Sequence, residues 1–216
     1  MSRIAAVLLA LALSVLPSAA GGPVFESGPV PASVRERMVG VSFPAENSHI
    51  QFSELRYLKL SYIDYEGREQ CGEMVCNKAI ADDLLAIFRA LYEARYPIAS
   101  IRLIDDFDGD DTRSMEANNT SCFNYRARTS GRSLSAHAKG LAVDVNPLQN
   151  PYVRGSRVEP ASAAPYVDRS RDFPHKITSD DLCCKLFRAH GFQWGGAWRS
   201  VKDYQHFEKN IIKHKH

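Results

Sequence analysis

Ser133-Leu134-Ser135-Ala136-His137-Ala138-Lys139-Gly140-Leu141-Ala142-Val143-Asp144-Val145 is the stretch on which the reading of this chain turns. Residues 141–145 are apolar apart from Asp144, with β-branched Val143 and Val145, and they read as a short strand. Leu141 and Val143 would lie on one face, Ala142 and Asp144 on the other. A carboxylate on so apolar a strand is costly unless a cation or a set of donors meets it. His137 stands seven positions earlier, in a turn of small residues that includes Gly140.

A second stretch supplies the partner: Lys202-Asp203-Tyr204-Gln205-His206-Phe207-Glu208. Two imidazoles and a carboxylate form a common three-ligand zinc set that leaves one coordination position open. His137, Asp144 and His206 are therefore the candidate ligands, and Asp203 is the candidate proton shuttle. Strict strand alternation would not aim Asp203 and His206 at the same point, so a bulge or loop is expected between them.

Ser135-x-His137-x-x-Gly140-x-Ala142-x-Asp144, followed by Asp203-x-x-His206, resembles the zinc D,D-peptidases of the M15 family, the VanY-like D-alanyl-D-alanine carboxypeptidases. The likeness runs from about Leu55 to Glu208. It implies an α+β fold of the Hedgehog/D,D-peptidase type, a small antiparallel sheet with flanking helices. It also implies a Zn2+ cofactor held by His137, Asp144 and His206, with Asp203 as general base. Several members have Glu at that position, and Asp has a shorter reach. An arginine beside the metal stabilises the oxyanion in the family; Arg126 is the choice here and Arg128 the runner-up. Ser135 corresponds to a serine beside the metal loop that hydrogen-bonds substrate. The implied substrates are peptidoglycan stem peptides, with D-Ala-D-Ala carboxypeptidase activity preferred and cleavage of L-Ala-D-Glu or another internal bond as the alternative. A Hedgehog-like zinc module that hydrolyses nothing is the rival from another class. Retention of an acid at position 203 argues against it.

The chain begins with one positive charge, an apolar run over 4–16 and small residues over 17–20. This is the pattern of a secretory signal peptide cut after Ala20. The run is short for a bilayer span, so no stable membrane anchor is expected after cleavage. A location in the periplasm, in the cell envelope or outside the cell follows. Residues 21–50, rich in Gly, Pro and Ser, read as an extended arm, residues 51–210 as the zinc peptidase domain and residues 211–216 as a basic tail. A net charge of +2 without a basic stripe gives no reason to expect a nucleic-acid partner. A monomer is expected.

The five cysteines, at 71, 76, 122, 183 and 184, permit disulfides in an exported protein. Cys71 with Cys76, and Cys122 with Cys183 or Cys184, are the pairings to consider. The absence of a Cys-x-x-Cys pair argues against a thiolate zinc site.

Strands are expected at 55–65, 69–75, 98–104 and 121–126. Helical spacing of Ile80, Leu84, Ile87, Phe88 and Leu91 predicts a helix after an Asn77 cap, ended by Pro97. A late helix should start at Ser179, turn Leu182, Leu186 and Phe187 inward, and stop at Gly191. The acidic loop 105–111 suggests calcium, but the EF-hand template fails: Asp111 occupies the glycine position and Ala117 that of the final acid. Residues 160–174 read as a long loop rimming the cleft, with His175 exposed after it. Residues 192–198 carry aromatics and glycines suited to a cleft wall.

Overall fold

The structure is a computed structural model that describes residues 22–46, 49–125 and 134–211. The fold is α+β, built among the described residues on three small antiparallel sheets of three strands each. The predicted signal peptide, Arg126, Arg128 and nearly all of the basic tail lie outside the described residues. No described helix is long and apolar enough to cross a membrane.

The first sheet has the order β1 (Phe25–Gly28), β2 (Leu55–Ile63), β3 (Glu69–Asn77). Strand alternation turns Leu58 and Leu60 fully inward on β2. The β2–β3 hairpin closes at Asp64, whose carboxylate accepts from the backbone N–H groups of Glu66 and Arg68 and from the Arg68 and Gln70 side chains. Helix α1 (Ala32–Met38) joins β1 to this hairpin. Its Val34 and Met38 pack with Val30, Phe43, Ile50, Leu55, Val75 and Phe123 in a small core. The segment read as an extended arm is thus built into the domain, because its few apolar residues are spaced to face one side of a short helix.

Helix α2 (Ala81–Glu93) buries Leu84, Ile87, Phe88 and Leu91 against this sheet. Each such side chain removed from water contributes about 1.5–3 kcal/mol. Asn77 does not cap α2, which starts after Ile80. Its side-chain oxygen accepts from Ala79 N–H, and its amide donates to Lys139 carbonyl. Segment 98–104 is not a regular strand. It makes an isolated bridge from Ile101 to Thr120, and Glu73 N–H donates to Ile101 carbonyl. Gly72 allows this crossing: a Cβ there would lie 2.4 Å from Ile101 oxygen.

The acidic loop serves the fold. Asp105 accepts from Ser42 N–H, Asp106 pairs with Arg37 and Arg102, and Asp108 pairs with Arg113. Asp110 caps α3 (Asp111–Glu116) by accepting from Arg113 N–H. These carboxylates face cations and backbone donors of the fold itself.

The other two sheets are interleaved along the chain. One has the order β4 (Ala142–Asp144), β9 (His206–Glu208), β7 (Gln193–Trp194). The other has β6 (Arg157–Glu159), β5 (Tyr152–Arg154), β8 (Lys202–Asp203). Helix α4 (Leu182–Ala189) is capped by Asp181 rather than Ser179, through Cys183 N–H. It turns Cys183, Cys184 and Phe187 inward and leaves Leu182 exposed, contrary to the predicted stripe. Phe187 stacks on Phe207 of β9 with ring centroids 4.3 Å apart and meets Phe88 of α2 edge-on at 6.3 Å. The helices therefore anchor the strand next to His206.

The long loop is ordered. Arg169 donates to Gln149 and Ile177 carbonyls and to Asn150 Oδ1, and its guanidinium lies over the Tyr204 ring. His175 is not loose loop material; it stacks on Tyr65 at 3.6 Å. All five cysteines are free thiols. Cys71 and Cys76 are five residues apart on β3, so the pleat sends one outward and the other into the core. That spacing excludes the predicted clip.

Candidate metal centre

His137 opens a tight turn, His137–Lys139, that Gly140 closes at φ +65°. That left-handed conformation suits glycine. Space demands it too, since a Cβ on Gly140 would lie 2.6 Å from Asn77 nitrogen. Asn77 N–H donates to Gly140 carbonyl at 2.8 Å, so the end of β3 holds the turn in place. Ser135, read as a substrate contact, lies buried beneath the turn, where its hydroxyl oxygen accepts from Ala138 N–H at 3.0 Å.

Asp144 and His206 meet because they are directly opposed in the β4–β9 register. On its other side β4 is bridged at Asp144 to Ser121, and the same segment brings Cys122 carbonyl to His137. All three candidate ligands are buried.

Their donor atoms converge. His137 Nε2 lies 3.2 Å from Asp144 Oδ2 and 3.2 Å from His206 Nδ1, and His206 Nδ1 lies 3.0 Å from Asp144 Oδ1. Ligand atoms about 2.0–2.1 Å from a tetrahedral zinc would be about 3.3 Å apart. The observed triangle is within a few tenths of an ångström of that spacing.

The ring orientations fit as well. His137 Nδ1 lies 2.7 Å from Cys122 carbonyl oxygen. A carbonyl can only accept, so Nδ1 carries the proton and Nε2 turns its lone pair toward the triangle. His206 Nε2 faces Glu208 Oε2 at 3.4 Å, which leaves Nδ1 as the inward atom. Metal-binding histidines commonly donate their second nitrogen to a carbonyl or carboxylate in this way.

The three groups also attract one another electrostatically. Burial works against a charged His206, but its hydrogen bonds to Asp144 and Glu208 prevail and raise its pKa to about 10, with further help from the Asp203 charge. Burial alone would raise Asp144; His137 and His206 overcome it and hold the carboxyl far below the usual carboxylate range.

Asp203 reaches this neighbourhood from a different sheet. It ends β8, opposite Tyr152, and the chain turns through Tyr204 and Gln205 before His206 starts β9. This change of sheet removes the alternation problem. Gly195 fixes the approach: a Cβ there would lie 2.6 Å from Asp203 oxygen, 2.8 Å from Asp203 Cβ and 3.3 Å from His206 Cβ. Gly196 leaves room for the Trp194 ring, and Trp194 Nε1–H donates to Tyr204 carbonyl at 2.9 Å. Sequence reasoning noticed these glycines but assigned them to a substrate wall. Glu208 and Cys122 carbonyl went unassigned. A carboxylate two positions after a ligand histidine was the available signal for Glu208; a backbone carbonyl leaves none.

Residues 128–209 match the peptidase M15 family model described as D-alanyl-D-alanine carboxypeptidase. The chain carries an M15 peptidase segment. This segment contains His137, Asp144, Asp203 and His206 and the two sheets that bear them, whereas the first sheet and α2 precede it. No curated protein and no solved structure matches the chain. M15 peptidases are metal-dependent. The donor set here, two imidazole nitrogens and one carboxylate at metal-binding spacing, fits a divalent first-row ion.

Proposed function

We propose that this protein is an exported zinc peptidase that hydrolyses peptidoglycan stem peptides as a D-Ala-D-Ala carboxypeptidase, with residues 51–210 as its catalytic domain. The observation that carries the reading is the convergence of His137 Nε2, Asp144 and His206 Nδ1, with Asp203 beside them on a separate strand. Bound by these three residues, zinc would supply Lewis-acid polarisation of a carbonyl and activation of water. Asp203 takes the proton of the attacking water on its carboxylate and returns it to the leaving amine. Cys122 carbonyl and Glu208 keep the imidazoles in the tautomers that expose the inward nitrogens. Arg126 is assigned to the oxyanion, and the Ser135 hydroxyl to the support of the His137 turn.

The test is to purify the chain from residue 21 onward, load it with zinc and assay defined muropeptides beside Asp203→Ala. Release of terminal D-alanine, lost in the variant while zinc stays bound, supports the proposal. Cleavage only at an internal bond would replace carboxypeptidase with endopeptidase. No turnover of any muropeptide would favour a zinc module without hydrolysis.

A further inference from the structure

A cavity of about 570 Å³ opens between the end of α4 and the segment that leads into the metal strand. Phe192, Trp194 and Trp198 line it together with Ser179, Arg188 and Gln193. The Trp198 ring also packs on His206, with centroids 5.3 Å apart. One indole is thus shared between the cavity and the metal centre.

The volume falls within the usual range for a small-molecule site, and the lining combines three aromatic rings with a few hydrogen-bonding groups. If the substrate is peptidoglycan, the candidate occupants can be compared. Alanine methyl groups are too small to fill such a space. An ammonium group would be repelled by the Arg188 charge, and a free carboxylate could pair with Arg188 but would leave the two indoles uncovered. A sugar ring fits both demands. Its C–H face can lie on an indole, while its hydroxyl and acetamido groups can bond to Arg188, Gln193 and Ser179.

We propose that this cavity is a subsite for an N-acetylated hexosamine of the glycan strand from which the stem peptide hangs. The proposal rests on the peptidase reading for the identity of the polymer. It adds a recognition element that the metal centre alone lacks.

The chain's two tryptophans are both in this lining, so tryptophan fluorescence reports on the cavity, and holding the protein zinc-loaded throughout keeps the Trp198–His206 contact constant. Zinc-loaded protein is titrated with peptide-free oligomers of N-acetylglucosamine, with glucose oligomers as control. A saturable change with the first and none with the second is expected, weakened about tenfold or more in Arg188→Ala. In parallel, kcat/KM is compared for a stem peptide attached to its disaccharide and for the same peptide alone. The disaccharide should raise it about tenfold or more, and the ratio should fall toward one in Arg188→Ala, whose fold is checked by circular dichroism. A ratio of one with no fluorescence response, while free peptide is still cleaved, overturns the sugar subsite and leaves the peptidase standing. Saturable sugar binding without cleavage of either peptide supports the subsite and removes the peptidase reading.

Discussion

Replacing Gly195 by alanine tests whether the separation of Asp203 from His206 sets the rate. The new methyl carbon would lie 2.6 Å from Asp203 oxygen, where ordinary contact begins near 3.4 Å, and 2.8 Å from Asp203 Cβ. Neither neighbour is the free end of a flexible side chain, so β8 itself must move. The shift needed approaches 1 Å, and a misplacement of that size costs about 10²-fold in turnover. His206 Cβ, at 3.3 Å, needs to yield only slightly. Gly195→Ala should therefore keep its zinc but lose about two orders of magnitude in kcat, with a much smaller change in KM. Crowding of this kind costs about 1–3 kcal/mol, which for a chain of this size lowers Tm by about 3–10 °C. Turnover of a stem peptide is measured well below that melting point, with bound metal counted in the same sample. A Gly195→Ala protein within about threefold of the unmodified kcat would refute the argument. So would loss of metal in proportion to activity, since that would place the strain on His206 instead of Asp203.

Asp64→Asn should destabilise the chain at neutral pH by about 1.5–3 kcal/mol, because a charged acceptor of two backbone and two side-chain donors becomes neutral. Burial pushes the Asp64 carboxyl up, but those donors prevail and hold it at about 2. Its contribution is therefore complete above the ordinary carboxylate value and is lost as pH falls through about 2. Urea unfolding at a series of pH values should show the gap between variant and parent closing from pH 4 downward. A thiol reagent should find one fast site in the native protein, Cys71, and five after denaturation; burial pushes the Cys184 thiol up to about 11 and those of Cys76, Cys122 and Cys183 higher still. Fewer than five would mean a disulfide. Chelation with o-phenanthroline should stop turnover with little change in far-UV dichroism, since the two apolar cores contain none of the three ligands.

Several features could be read directly from the chain. The hairpin at 55–77 and the stripe of α2 follow from periods of two and near four in the apolar residues. The two halves of the metal centre are visible because histidine and aspartate are expensive in apolar surroundings. Other features depend on contacts that no local pattern encodes. Segment 98–104 is as apolar as a strand, yet it meets β3 only where Gly72 lets Ile101 cross. The order of the two small sheets is invisible in a run such as Lys202 to Glu208, where the chain leaves one sheet and enters the other. Leu182 follows helical spacing but is exposed, because the Asp181 cap starts α4 two residues later than Ser179 would and leaves Leu182 at its first position. The acidic loop suggested an ion only while its arginine partners, Arg37, Arg102 and Arg113, remained out of view.

The ligand geometry depends on parts of the fold that precede the matched peptidase segment. His137 is oriented by Cys122 carbonyl, and its turn is fastened by Asn77 at the end of β3. Asp144 is fixed from both sides, by Ser121 and by β9. His206 takes its place from the β4–β9 register and from Phe207, which the α4 aromatics hold. Three separate supports therefore set three donor atoms within 3.0–3.2 Å of one another. It follows that the hairpin and α2 are required for a preformed site, and that residues 128–209 expressed alone should bind zinc weakly. Equal zinc affinity for that fragment and for the whole chain would show that the first sheet does not contribute to the metal centre.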